Sequence, residues 1–382
     1  MRLDFGTLSR TAGQPLHRQL KELIRDAILS GVYRPGDRLE PERRFVDEGG
    51  VSLITVSRAL RELADEGYLR RRTGSGTFVC DDLPTIAPKL GTVGVFYYHT
   101  ASPYFSGLMT GIEEAAQEHN ITIESLPTGL SDEGEQRVIN DLTDRNVDGI
   151  IAVPFARPGM LAALQRALDA DIPVVTIGVS IPQLDCDAVT FDNEHGAYLI
   201  AEHLLGLGHR RLSFLGVEET YPHTMQHEML AGIDRACRRF GVSFDPSRIY
   251  NVPMAFDEAR DTTVHDLVLS IVKPDSTSRT EPSTAIICVA DGLARYATQT
   301  LAAAGVTIPQ DVSITGVGNL PIAEQLDPPL TTMDWPLRRA GHSAVRSLVE
   351  QTSGRLRRPQ HRILDTGIVV RRSAAMTRLN PR

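Results

Sequence analysis

Between Gln14 and Val79 the chain is punctuated in a way that few folds can accommodate. Leu16, Leu20, Leu23, Ile24, Ala27 and Ile28 recur at helical spacing, and Pro15 before them suits a first turn. The helix stops at Ser30 and Gly31, Arg34 to Gly36 turn the chain, and Asp37 to Leu39 form a short extended link. Pro41 opens a second helix with Glu42 placed to complement its dipole. Gly49 and Gly50 break the chain, and Ser52 is positioned as the N-cap of a third helix. There Val56, Ala59, Leu60, Leu63 and Ala64 form an apolar stripe, which leaves Thr55, Ser57, Arg58, Arg61 and Glu62 on the other side. Gly67 ends it, and Tyr68 to Arg72 and Thr77 to Val79 alternate like two strands joined by a tip of Thr73, Gly74, Ser75 and Gly76. Helices, breaks and hairpin in this order describe a winged helix-turn-helix, which lays one helix in a major groove of DNA with a wing beside it.

The charge follows the same division. Residues 1–80 carry 14 Lys and Arg against 11 Asp and Glu, whereas the remaining residues carry 26 against 37. A net of +3 in the head and -11 elsewhere, within a total of -8, is expected if only the head meets phosphate. Cys80, Cys186, Cys237 and Cys288 are far apart, with no CxxC and no His at ligand spacing, so they are expected to be reduced thiols in a cytoplasmic protein. No metal or cofactor is expected. The N-terminus lacks an apolar signal core and no apolar run approaches membrane-spanning length, so a membrane role is not expected.

At 382 residues the chain calls for more than one domain. Residues 80–90, polar with two prolines, form an extended linker. From Thr92 strand-like and helical stretches alternate with short connections: 92–98, 121–125, 149–153 and 174–177 extended, 104–119, 133–145 and 158–170 helical. The pattern restarts with a helix at 195–207 and a strand at 211–215. This predicts an α/β body of two lobes with parallel sheets, about 91–192 and 193–320, crossing back after 320 and ending near 374 before a tail of 375–382. Ligands in such folds sit at the carboxyl ends of the strands, here between the lobes.

The head resembles the GntR family of bacterial regulators over about residues 14–79. The elements are Gly31, Pro35, Gly36 and Leu39; Glu42 and Arg43; Val51, Ser52, Thr55 and Val56; Ala59, Leu60 and Leu63; Glu66 and Gly67; and Gly74, Gly76, Thr77 and Phe78. That resemblance implies DNA contacts from Arg43, from the start of the third helix (Ser52, Leu53, Thr55, Ser57, Arg58) and from the wing (Arg71, Thr73, Gly74, Ser75, Gly76). The chain departs from the family where contacts matter: Leu53 stands where an arginine is usual, and Ser57 stands where another is usual, with Arg58 one step later. Leu53 or Ile54 could touch a thymine methyl, or could pack beneath the helix. Arg58 could meet DNA or serve as a surface ion pair, and the Arg70 to Arg72 run suits phosphate.

The body resembles the LacI-type sensor domain, itself built like periplasmic sugar-binding proteins, over about residues 91–374. Ser102-Pro-Tyr-Phe105, Val147-Asp-Gly-Ile-Ile151, Phe191-Asp-Asn193, Glu202 to Leu212 and Asp327 to Thr332 carry that likeness. The resemblance implies a homodimeric repressor of operator DNA, with a sugar-like effector held by Tyr104, Phe105, Asp192, the loop with His223, His227 and Met229, Asp291 and Asn319. Three of the family's polar clamps are replaced, by Met229, Ala290 and Gly318. A less polar ligand, a sugar held by other groups and a lost effector site all remain open. Two other classes compete: a solute-binding protein of a transporter, disfavoured by the head, and an aminotransferase-like enzyme. The enzyme would need a Schiff-base lysine, and after Lys89 only Lys273 remains.

Overall fold

Helical spacing in the head turns apolar side chains to one side of each helix, and the computed structural model shows what they enclose. It describes residues 15–29, 31–72, 76–81, 90–97, 103–129, 131–154, 158–218, 224–253, 262–273, 281–352 and 359–377. Contacts divide the chain into two compact units, residues 1–90 with 347–358 and residues 91–346 with 359–382. α1 (Leu16–Leu29) buries Leu20, Ile24, Ala27 and Ile28. α2 (Glu42–Gly49) follows Pro41 and ends where Gly50 takes a left-handed φ of 61°, a conformation open to glycine because it lacks a Cβ. α3 (Leu53–Asp65) starts at Ser52, whose hydroxyl accepts from the Thr55 amide at 3.2 Å and satisfies one of the donors a helix start leaves open. β1 (Leu69–Arg72) pairs antiparallel with β2 (Gly76–Val79), Leu69 opposite Val79 and Arg72 opposite Gly76. Gly76, expected at the wing tip, is thus already part of a strand. Phe45, Val56, Leu60, Leu63 and Val79 close the core against α1, each stabilising the head by about 1.5–3 kcal/mol through burial.

The body alternates strand and helix because its strands are near-continuous apolar runs, the pattern of strands covered on both faces. In order come β3 (Thr92–Tyr97), α4 (Pro103–Glu118), β4 (Thr122–Pro127), α5 (Asp132–Asp144), β5 (Gly149–Ala152), α6 (Pro158–Asp169), β6 (Val174–Ile177) and β7 (Asp187–Phe191). Next are α7 (Asn193–Gly206), β8 (Leu212–Val217), α8 (Thr224–Arg239), β9 (Ile249–Val252), α9 (Thr262–Val272), β10 (Ala285–Cys288), α10 (Asp291–Ala303), β11 (Ser313–Gly318), α11 (Pro321–Gln325) and β12 (Thr331–Asp334). Finally there are α12 (Leu337–Thr352), β13 (His361–Leu364) and β14 (Gly367–Val369).

Two six-stranded sheets result, ordered β13-β7-β6-β5-β3-β4 and β14-β12-β11-β10-β8-β9. All their pairings are parallel except β12 with β14. The strand order shows three crossings between lobes: after β7, after β12 and after β13. The second lobe therefore extends through β12 at Asp334, past the expected 320, before α12 returns to the first. α12 lies backbone against backbone on α4, because a Cβ on Gly111 would strike the Arg338 carbonyl and one on Gly341 the Leu108 carbonyl. Ala375 and Thr377 are tied back to the second lobe, through the His209 ring and the Leu207 carbonyl respectively.

Candidate nucleic-acid interface and interlobe cleft

The outer side of α3 is set by its cap and its period. Ser52 holds the first turn, and its hydroxyl also lies 2.8 Å from that of Thr55, so the two are engaged with each other. Leu53 and Ile54 are 56% and 81% exposed. The packing alternative for them is excluded by that exposure, and they project from the helix as large apolar side chains in water. Ile54, Ser57, Arg58 and Arg61 share one side at helical spacing. Arg58 Nε sits 3.0 Å from Glu62 Oε1, in an exposed i,i+4 pair. That hydrogen bond, helped by Lys21, holds the Glu62 carboxyl below its ordinary range.

The wing arginines differ in their partners. Arg70 pairs with Asp81 at 2.9 Å and Arg71 with Glu42 at 3.0 Å, while Arg72 lies 4.9 Å over the Phe78 ring. Arg43 and Arg61 are exposed and make no ion pair among the described residues. So is Arg38, which the sequence did not single out. Its backbone bridges to Phe78, and its guanidinium covers Gly76, where a Cβ would come within 2.9 Å of Arg38 Nε. Gly76 also has a φ of 113°, a value L side chains rarely adopt. Thr73, Gly74 and Ser75 lie outside the described residues.

In the body, the carboxyl ends of both sheets lead into the space between the lobes, and Trp335 stands there directly after β12. It stacks on Phe191 at 5.1 Å and meets Tyr104 edge-on at 5.6 Å. Its Nε1 donates to Asn193 Oδ1 at 3.1 Å, and Asn193 Nδ2 donates to Glu228 Oε2 at 3.0 Å. Trp335, Asn319 and Leu320 line a cavity of about 470 Å³ with Pro103, Ser106 and Gly107 of α4. Trp335 and Asn193 were missed as site residues. The only signal for Trp335 was that it is the single tryptophan of the chain.

The residues expected to hold an effector separate into groups. Tyr104 reaches the cleft. Asn319, in a left-handed turn with φ 52°, donates to Asp334 Oδ1 and accepts from Arg371 Nη2, both at 2.8 Å. Asp192 caps α7, accepting from the His195 amide at 2.9 Å. Asp291 is fully buried: Thr332 Oγ1 donates to it at 2.6 Å and the Leu320 amide at 2.7 Å. Burial pushes its carboxyl up, against the pull of those hydrogen bonds. Phe105 is buried and stacks on Tyr97 at 3.5 Å, and Met229 is fully buried in the second lobe's core, so neither presents a face to the cleft. His227 is exposed on α8, and His223 lies outside the described residues. Among the described residues no cluster of His, Cys, Asp or Glu could hold a metal ion.

Comparison with known proteins assigns both parts. Residues 16–79 match the model of bacterial regulatory proteins of the gntR family, and residues 201–374 match a periplasmic binding protein-like domain. The arabinose metabolism transcriptional repressor of Geobacillus stearothermophilus is 27% identical over 352 residues, covering 89% of this chain and 92% of its own. The HTH-type transcriptional regulator DegA of Bacillus subtilis is 29% identical over 338 residues, covering 85% and 95%. Among solved structures, a LacI family regulator from Enterococcus faecium with bound ribose matches at TM-score 0.63 and 25% identity, over 75% of this chain and 99% of that one. The chain is a DNA-binding transcriptional regulator with a GntR-family head and a LacI-type, periplasmic-binding-protein-like body.

Proposed function

We propose that this regulator is a cytoplasmic repressor that grips its operator as a homodimer and changes its affinity when a small metabolite enters the cleft. The observation that carries the reading is the meeting of Tyr104 from the first lobe with Trp335 at the end of a second-lobe strand. A ligand touching both has unequal affinity for open and closed lobes, which is what couples it to DNA, typically by ~1–3 kcal/mol. A dimer would place each head on one half-site, with Arg43, Ser52, Thr55, Ser57, Arg58 and the wing against DNA and half-sites roughly 34–36 Å apart or a multiple of that.

The named relatives concern arabinose metabolism and a bound ribose, which supports a sugar-sized effector. A second reading, a flatter ligand with fewer hydroxyls, is favoured by one specific observation: Asp192, Asn193, Asp291 and Asn319 are all hydrogen-bonded within the protein. A thermal-shift panel of pentoses, hexoses, disaccharides and nucleosides tests both, because a ligand of the folded state raises its stability by about 2.7 kcal/mol at a hundredfold excess over Kd. Stabilisation by sugars supports the first reading and by nucleosides alone the second. If no member either raised the melting temperature or altered DNA retention, the effector proposal would fail.

A further inference from the structure

Large apolar side chains left in water are informative when they are few and grouped. Among the described residues of the head only two are exposed, Leu53 and Ile54, and they are consecutive in the first turn of α3. Both follow the Ser52 cap, which fixes that turn, and Ile54 is flanked on its own side by Ser57, Arg58 and Arg61. An apolar knob within a cationic and hydroxyl-bearing rim has one natural counterpart in duplex DNA. The floor of the major groove is polar except for the C5-methyl of thymine, and phosphates line its edges. A protein partner would find the same two side chains bordered by exposed guanidinium groups, Arg58 in a solvent-exposed pair with Glu62 and Arg61 without an ion pair among the described residues, which favours a polyanion.

We infer that Leu53 and Ile54 read thymine methyl groups, so that each half-site holds thymine at one or two positions where an arginine in place of Leu53 would select guanine. This inference rests on the reading of α3 as the groove-facing helix. It gives the departure at Leu53 a role in specificity, and it explains why exposed apolar surface persists where packing does not require it.

The test starts by selecting duplexes from a random pool with the intact protein, then replacing each thymine of the selected site by uracil, which removes the methyl alone. Wild type should lose about fourfold in affinity at one or two positions in each half-site, the worth of one buried methyl group. Ile54→Ala should bind more weakly from the start and be indifferent to uracil at its position. It should keep the wild-type melting temperature and salt dependence, since its side chain packs against nothing. Tolerance of uracil throughout, or an undiminished uracil penalty in Ile54→Ala, would overturn the inference while leaving DNA binding intact. Failure to enrich any duplex would overturn the groove-facing reading and the inference with it.

Discussion

Ile54 is 81% exposed at the start of α3, whereas Asp291 is wholly buried at the start of α10. Each lies near the beginning of a helix in a region expected to recognise a partner, yet one faces water and the other faces its own protein. On the head, unpaired guanidinium groups and apolar tips cost little, because water solvates the former and the core does not need the latter. In the cleft, an unpaired donor or acceptor costs ~1–3 kcal/mol. The polar groups there are held by Thr332, Leu320, Asp334 and Arg371. A surface site can therefore display its chemistry in the free protein, and an enclosed one conceals its own behind internal hydrogen bonds.

The most severe challenge to that contrast is Asp291→Ala. Removing the carboxyl takes the acceptor from the Leu320 amide and leaves the buried Thr332 hydroxyl only the Met333 carbonyl, at 3.3 Å, so the body should lose about 2–3 kcal/mol of stability. Urea unfolding followed by the fluorescence of Trp335, the single tryptophan, measures it in the body itself. A loss below about 0.5 kcal/mol, as for an ordinary surface change, would mean that Asp291 is available to a ligand after all.

The same contrast explains what could be read in the sequence. Local rules placed the Ser52 cap, the stripe of α3 and the strands β3, β4, β5, β6 and β8 within a residue or two, because capping, period and strand alternation act over a few positions. The partners of Asp291 and Asn319 are 41 and 52 residues away; the second lobe's own sheet brings Asp291 to Thr332, and the chain's return to that lobe through β14 brings Arg371 to Asn319. Phe105 and Met229 were expected at the ligand by resemblance, but Phe105 stacks on Tyr97 and Met229 is buried in a core. Arg38 escaped notice for a similar reason: its place over Gly76 depends on a bridge to Phe78, 40 residues on. The exposure of Leu53 and Ile54 was left open by the sequence, since one helical turn near a cap can face either way.

On the head the opposite behaviour is expected. Ser57→Ala combined with Arg58→Ala should weaken operator binding by about tenfold or more. Stability should change by less than about 1 kcal/mol, because the Arg58–Glu62 pair is exposed. Measuring both DNA affinity across salt concentrations and urea unfolding separates these effects. Equal damage to folding and binding would show that α3's outer side is structural, and the distinction between surface and cleft would collapse.

The smallest effect is one of pH, and it sharpens the distinction by asking whether an interior group titrates at a cost that surface groups do not incur. His209 is buried between Thr284 Oγ1 and the Ala375 carbonyl, each 3.0 Å from a ring nitrogen. Those partners suit a neutral ring, Nδ1 accepting and Nε2 donating. Burial lowers its proton affinity, with the Ala375 hydrogen bond opposing. A histidine depressed in the folded state favours folding while both states are neutral, above the unfolded value of about 6.5. Its contribution is lost as pH falls below that value towards the folded one, because the unfolded chain then binds the proton more readily. Wild type should therefore lose more melting temperature between neutral and mildly acidic buffer than His209→Gln, which retains a donor and an acceptor but cannot titrate. Identical pH profiles would mean that the ring binds a proton as readily in its pocket as in the unfolded chain, with Ser313, 3.1 Å from Nε2, and the Ala375 carbonyl offsetting the cost of burial.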